Sequence, residues 1–301
     1  MNDSTSYGII ADHLSHRLRE LVLSAKDNCP DDLMEIRLRV KGPVFYVFPN
    51  KILFLSSNGS LSASYDSSSC TVNRQDIKEC IDKLCRYSVH SCGKQLSEGY
   101  FVIGNGIRVG VSGSYSSAEQ ALLAEFCSLN FRLSRQVIGC AENLFSETYD
   151  RNIIICGGVN SGKTTLLREL CRLNGNIRKT ALIDERNEIS CFADGAAQND
   201  VGALTDIISN CSRSRGIMLA VRTLSPDLIV CDEIASREDA DSVIAGLSCG
   251  VRFLVTSHGE SEKELLKRPE LKKLIESGFF HSLIFLKGAS APGKIHRIVR
   301  L

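Results

Sequence analysis

The chain has 301 residues, 43% of them hydrophobic, with 36 basic against 35 acidic side chains and a sequence pI near 7.5. That is apolar material for one large domain or two ordinary ones, and the balanced charge excludes a global field that would attract nucleic acid or an anionic membrane surface. No stretch approaches the ~18 apolar residues of a transmembrane segment, and the start MNDSTSYGIIADHLSHRL lacks the basic and apolar regions of a signal peptide, so a cytoplasmic protein is expected, peripheral at a membrane only through partners.

In chain order, Ile9, Ile10, Leu14, Leu18, Leu21 and Val22 recur at helical spacing and predict one amphipathic helix over about 7–24. Met34 to Val40 alternates apolar with charged side chains, the period of a half-exposed strand, and further strands are expected near Val44–Val47 and Ile52–Phe54. Ser56 to Ser69 reads as a loop or a pair of short edge strands. Asn73 is placed to cap a helix running to about Ser88. In GYFVIGNGIRVGVSG, residues 99–113, two β-rich runs flank Asn105-Gly106, a hairpin signal because both turn positions need positive φ. Residues 1–138 are therefore expected to be a smaller α+β domain.

From about residue 150 the pattern changes to strand–helix alternation, with apolar runs at Ile153–Ile155, Ala181–Ile183, Leu228–Val230, Phe253–Thr256 and Leu283–Leu286. Near-continuous apolar strands are buried on both faces, so residues 139–301 are expected to be an α/β domain with a mostly parallel sheet. The 13 cysteines, from Cys29 to Cys249, show no zinc-site spacing. Several, such as Cys156 and Cys231, lie in apolar runs as small hydrophobes, and an odd set of unpaired thiols fits a reducing compartment.

Gly157-Gly158-Val159-Asn160-Ser161-Gly162-Lys163-Thr164 fits G-x-x-x-x-G-K-[ST] at every fixed position, between an Ile-rich strand and a predicted helix that continues through Thr165. Glycines there let backbone N–H groups turn inward around a β-phosphate, and the helix N-terminus adds its dipole. Lys163 is the residue to reach the β- and γ-phosphates of ATP, and the Thr164 hydroxyl the one to ligate Mg²⁺. A second signal is Leu228-Ile229-Val230-Cys231-Asp232-Glu233, an apolar strand ending in two carboxylates. Asp232 suits the Mg²⁺ water shell, and Glu233 suits a general base that aligns the attacking water. Two more strand ends carry polar groups, Asp184-Glu185-Arg186 and Thr256-Ser257-His258, and ligands of open α/β sheets bind at such carboxyl ends.

The glycine turn, IDERNEI (183–189), VRTLSPDLIVCDEI (221–234) and TSHG (256–259) resemble the stage III sporulation protein AA family of endospore-forming bacteria. EIRLRVKGPV (35–44) and EGYFVIGNGIRVGVSG (98–113) extend the resemblance over most of the chain. That family is related to the ring-forming ATPases of type II and type IV secretion. The resemblance implies a RecA-like P-loop NTPase domain, ATP sandwiched between it and an N-terminal domain, and a homo-hexamer. It also implies a channel of membrane-embedded sporulation proteins, served from the mother-cell cytoplasm. By similarity Asp184 and Glu185 form an acidic box, His258 a histidine box, and Arg222 is the first choice for an arginine acting across a subunit interface, ahead of Arg213 and Arg215. The sequence departs from the family at Leu204, Cys211-Ser212-Arg213 and Ala235, away from the phosphate turn. Arg37, Arg39, Arg108 and Arg132 read as a solvated strand face, with a nucleotide or a neighbouring subunit as the alternative they face. Two rival functions remain: a RecA-like ATPase stimulated by nucleic acid, against which the neutral charge argues, and a nucleotide-gated scaffold that hardly turns over.

Overall fold

The computed structural model describes residues 6–88, 92–115, 123–133, 136–193 and 195–301, and the chain falls into two compact units, Met1–Arg135 and Gln136–Leu301. In the first, the single helix expected over 7–24 is two, α1 (Ser6–Asp12) and α2 (His16–Ala25). Ser15 makes the break: its hydroxyl accepts the N–H of Leu18 at 3.3 Å and donates to Asp76 at 2.7 Å, so it starts a new helix rather than continuing the old one. Strands β1 (Glu35–Arg39), β2 (Phe45–Val47), β3 (Ile52–Leu55) and the two-residue β4 (Leu61–Ser62) follow.

Asn73 caps α3 (Arg74–Leu84) as expected, its side chain and that of Asp76 each accepting the other's backbone N–H. Burial opposes ionisation of Asp76, but the Arg17 guanidinium, the Asn73 N–H and the Ser15 hydroxyl outweigh it and hold the carboxyl below its ordinary pKa. The helix stops short of Ser88 because Arg86 and Tyr87 take left-handed backbone, φ 48° and 61°. After α4 (Gly93–Glu98), β5 (Tyr100–Ile103) and β6 (Ile107–Tyr115) form the expected hairpin, with Asn105 at φ 56° and Gly106 at φ 67°; β7 (Leu123–Arg132) completes the sheet. Its order is β4-β3-β2-β1-β7-β6-β5, antiparallel throughout. One face of this sheet (Ile36, Leu38, Val109, Val111, Leu129, Phe131) packs on α1, α2 and α3, forming one core. The other face carries Arg37, Arg108 and Arg132: Glu35 pairs with Arg37 at 2.7 Å and Arg132 at 3.5 Å, and Arg108 lies 4.3 Å over the Tyr100 ring.

The second unit begins with α5 (Glu142–Thr148) and alternates β8 (Ile153–Gly157), α6 (Lys163–Gly175), β9 (Thr180–Asp184), β10 (Thr205–Ser209), α7 (Arg213–Thr223), β11 (Leu228–Cys231), α8 (Arg237–Ser248) and β12 (Arg252–His258). The short α9 (Glu262–Leu265), α10 (Pro269–Glu276), β13 (Ser282–Leu286) and β14 (Ile295–Arg300) close it. The sheet order is β10-β9-β11-β12-β8-β13-β14, parallel except for β14. Because successive strand residues face opposite ways, β8 sends Ile153 and Ile155 into a core with α5 and α6, and Ile154 and Cys156 into one with α7, α8 and α10. Helices thus cover both faces, and the polar loops are left at the carboxyl ends of the strands.

Candidate functional site

β8 ends at Gly157 and α6 begins at Lys163, so the predicted phosphate turn spans the gap between them. Its shape rests on residues that tolerate left-handed backbone, Asn160 at φ 57° and Gly162 at φ 91°. Space is tight as well: a Cβ on Gly157 would meet Ser161 Oγ at 2.5 Å, and one on Gly162 would strike the backbone nitrogen of Gly293. Ser161 is fully buried and donates to the Gly158 carbonyl at 2.9 Å, whereas Val159 at the tip is 71% exposed. Lys163, Thr164 and Thr165 open the helix, where N–H groups have no intrahelical acceptor, and no side chain caps them. A cavity of about 330 Å³ lies against them, lined by residues 160–165 and Pro292.

The Lys163 ammonium is folded into this turn, donating to the carbonyls of Gly157 at 2.9 Å and Gly158 at 2.7 Å. Burial lowers its pKa, and the carboxylates of Asp232 and Glu233 oppose that shift. The Thr164 hydroxyl donates to Asp232 Oδ2 at 3.2 Å, which brings the two residues expected at the metal together across two strands. Among the described residues no group of three or more His, Cys, Asp or Glu is arranged to hold a metal. One hydroxyl and one carboxylate beside a phosphate cradle is the donor set Mg²⁺ uses when substrate phosphates complete its shell, so the residues present fit that ion.

Glu233 stands next to this pair. Its N–H donates to Thr256 Oγ1 at 2.8 Å and to Asp232 Oδ1 at 3.0 Å, and Thr256 in turn donates a short hydrogen bond to Asp232 Oδ1. Its carboxylate meets Arg186 Nη1 at 3.3 Å and His258 Nε2 at 3.5 Å. β12 pairs with β8 so that His258 lies opposite Gly157, the first residue of the turn. The backbone of Glu233 is left-handed, φ 35°.

The remaining predicted residues are placed elsewhere. Asp184 is 2% exposed and wholly occupied by its own loop: its oxygens accept from the N–H groups of Glu188, Ile189 and Ser190 and from the Ser190 hydroxyl, at 2.7–3.3 Å. It shapes the turn after β9. Replacing Asp184 with alanine leaves these donors unpaired and should cost about 3 kcal/mol, read as a lower urea midpoint at unchanged slope; an unchanged midpoint would show that the loop rearranges to satisfy them. Glu185 is engaged by Arg213 at 2.7 Å, and Arg213 also donates to the Asp232 carbonyl at 2.7 Å. Arg213 is 8% exposed, so it is an internal brace and not, as the sequence allowed, an arginine available to a neighbour. Arg222 is exposed near the far end of α7, roughly 13 Å along the helix axis from Arg213. The chain does not bring it to its own phosphate turn.

Sequence reasoning passed over three features of the site. In the sequence Arg186 is only the last residue of a strand end, the bridging role of Thr256 depends on register, and Pro292 and Gly293 come from a turn carrying no motif. The Arg186 charge beside two acids was the one available signal.

The profile of a family described as Sporulation stage III, protein AA matches residues 7–300. Stage III sporulation protein AA of Bacillus subtilis (strain 168) is 32% identical over 278 residues, 89% of this chain and 86% of that protein. Among solved structures, the pilus retraction motor PilT with bound ADP superposes with a TM-score of 0.60 at 14% identity, over 88% of this chain and 76% of that one. The Legionella pneumophila ATPase DotB gives 0.55 at 16% identity, over 89% and 74%. Likeness at such identities carries the fold: a RecA-like α/β unit preceded by an α+β unit. The sequence match spans nearly the whole chain and includes the phosphate turn and both carboxylate-bearing strand ends, and on it the protein belongs to the stage III sporulation protein AA family.

Proposed function

We propose that the protein is an Mg²⁺-dependent ATPase of the secretion-ATPase type, assembled as a homo-hexamer, that drives a membrane-embedded sporulation channel between mother cell and forespore. The observation that carries the enzymatic part is the meeting of Lys163, Thr164, Asp232 and Glu233 beside the turn of residues 157–164, although they come from two strands separated by a third. Amides of the turn and the Lys163 ammonium bind the β- and γ-phosphates, exchanging the lysine's bonds to Gly157 and Gly158 for phosphate oxygens. Thr164 and Asp232 would hold Mg²⁺, which would supply positive charge to offset that of the phosphates. Glu233 accepts the proton of the attacking water; His258 and Arg186 orient its carboxylate, and Thr256 fixes its backbone. Glu185 works indirectly, holding the Arg213 that donates to the Asp232 carbonyl.

The ring and the channel rest on family membership, and an exposed Arg222 remote from its own phosphate turn is consistent with service to a neighbour's ATP. The test is phosphate release from purified protein across a dilution series, with and without Mg²⁺. Release should require Mg²⁺, and its rate per subunit should climb with protein concentration. A constant rate per subunit down to dilutions where sedimentation finds only monomer overturns the ring, and no release at any concentration overturns the enzyme. Stimulation by single-stranded DNA that vanishes steeply with salt would move the protein to the nucleic-acid class instead.

A further inference from the structure

The strand order fixes which way a bound nucleotide must point. Asp232, Glu233 and His258 stand at or just past the ends of β11 and β12, all on one side of β8. A bound nucleotide would therefore turn its terminal phosphate toward that side, where Asp232 would hold the cation, and its nucleoside toward the other. On that other side is β13, whose carboxyl end runs into a turn of residues 287–294 before the chain returns as β14.

This turn is built, not loose. Ala291 N–H donates to the Gly288 carbonyl and Lys294 N–H to the Ala291 carbonyl, both at 3.2 Å, while Lys287 N–H donates to the Lys294 carbonyl at 2.9 Å. Gly288 and Gly293 take the left-handed conformations that such tight reversals demand, φ 83° and 74°. The turn is also fastened to the phosphate loop, since the Gly293 N–H donates to the Ser161 carbonyl at 2.7 Å. Pro292 shares the cavity of residues 160–165, and among the lining residues it alone comes from outside the phosphate loop and the first turn of α6. A proline has no N–H to offer a phosphate. Its exposed ring presents C–H surface, which suits the flat, weakly polar half of a nucleotide.

We propose that the 287–294 turn is the nucleoside wall of the site: Pro292 packs against the sugar and base, and Gly293 ties that wall to the loop holding the phosphates. This rests on the nucleotide-binding reading above and adds to it the surface that receives the nucleoside.

The test compares ADP with inorganic tripolyphosphate, which offers phosphates without a nucleoside, by calorimetry in the presence of Mg²⁺ on the full chain and on Pro292→Gly. Removing the ring should weaken ADP about fivefold, the scale of one small apolar contact, and leave tripolyphosphate within about twofold. Retained tripolyphosphate binding also reports that the variant is folded. ADP affinity unchanged in the variant, or equal losses for both ligands, overturns the wall. A wild-type chain that binds pyrophosphate, which offers ADP's two phosphates without the nucleoside, as tightly as ADP overturns it as well. Failure of the wild type to bind either ligand overturns the phosphate site itself, and the wall with it.

Discussion

Lys163→Ala is expected to abolish measurable ATP binding and to lower phosphate release by about a hundredfold to a thousandfold, the scale of removing one preorganised charge-stabilising group. The ammonium sits inside the turn on two of its carbonyls, at 2.9 and 2.7 Å, so the substitution removes both the positive charge and the group that closes the loop. Partial burial makes that charge costly to hold: it lowers the lysine's pKa while the two nearby carboxylates oppose the shift. An incoming phosphate supplies the counter-charge that the turn's carbonyls only approximate. Calorimetry with Mg²⁺ and ATP reads the binding, and a phosphate assay reads the turnover. A variant that binds ATP as tightly as the parent would show that backbone amides alone carry recognition.

The second large effect is expected at Glu233→Gln, which should keep ATP bound within a few-fold while slowing hydrolysis by about 10²–10⁴, the usual contribution of a positioned general base. Glutamine preserves the volume and can still meet Arg186 and His258, the two groups around this carboxylate at 3.3 and 3.5 Å. What it loses is the capacity to accept a proton. Single-turnover measurements separate this from slow product release. Hydrolysis at the parent rate would remove Glu233 from the role of base, and loss of ATP binding would mean that the residue supports the site's structure.

The centre of this site was legible in the sequence because its chemistry is local: a glycine turn between an apolar strand and a helix can be recognised from neighbouring residues alone. The buried strands were legible for a similar reason, since an interior parallel strand is apolar on both faces. Edge strands lack that property. Thr205–Ser209 is half exposed and Ile295–Arg300 alternates with His296, Arg297 and Arg300, so neither strand appears among the apolar runs. The break at Ser15 was hidden because the apolar spacing continues across it through Leu14 and Leu18, both fully buried. Asp184 illustrates a deeper limit. Its carboxylate is spent on backbone N–H groups of its own loop, and no side-chain pattern encodes where those point. The same holds for the hydrogen bond from Gly293 to Ser161, made between residues far apart in the chain.

Adjacent side chains of an extended chain project to opposite sides, which would leave one of two consecutive acids facing away from any shared ligand. Glu233 escapes this by its φ of 35°, a sharp bend placed immediately after Asp232. An L-residue held there gives up about 1 kcal/mol or more of folding stability, which a glycine would recover. The molecule tolerates that standing tension, and two neighbouring letters of its sequence thereby address one small volume from the same direction, as the proposed division of labour between a cation and a water requires.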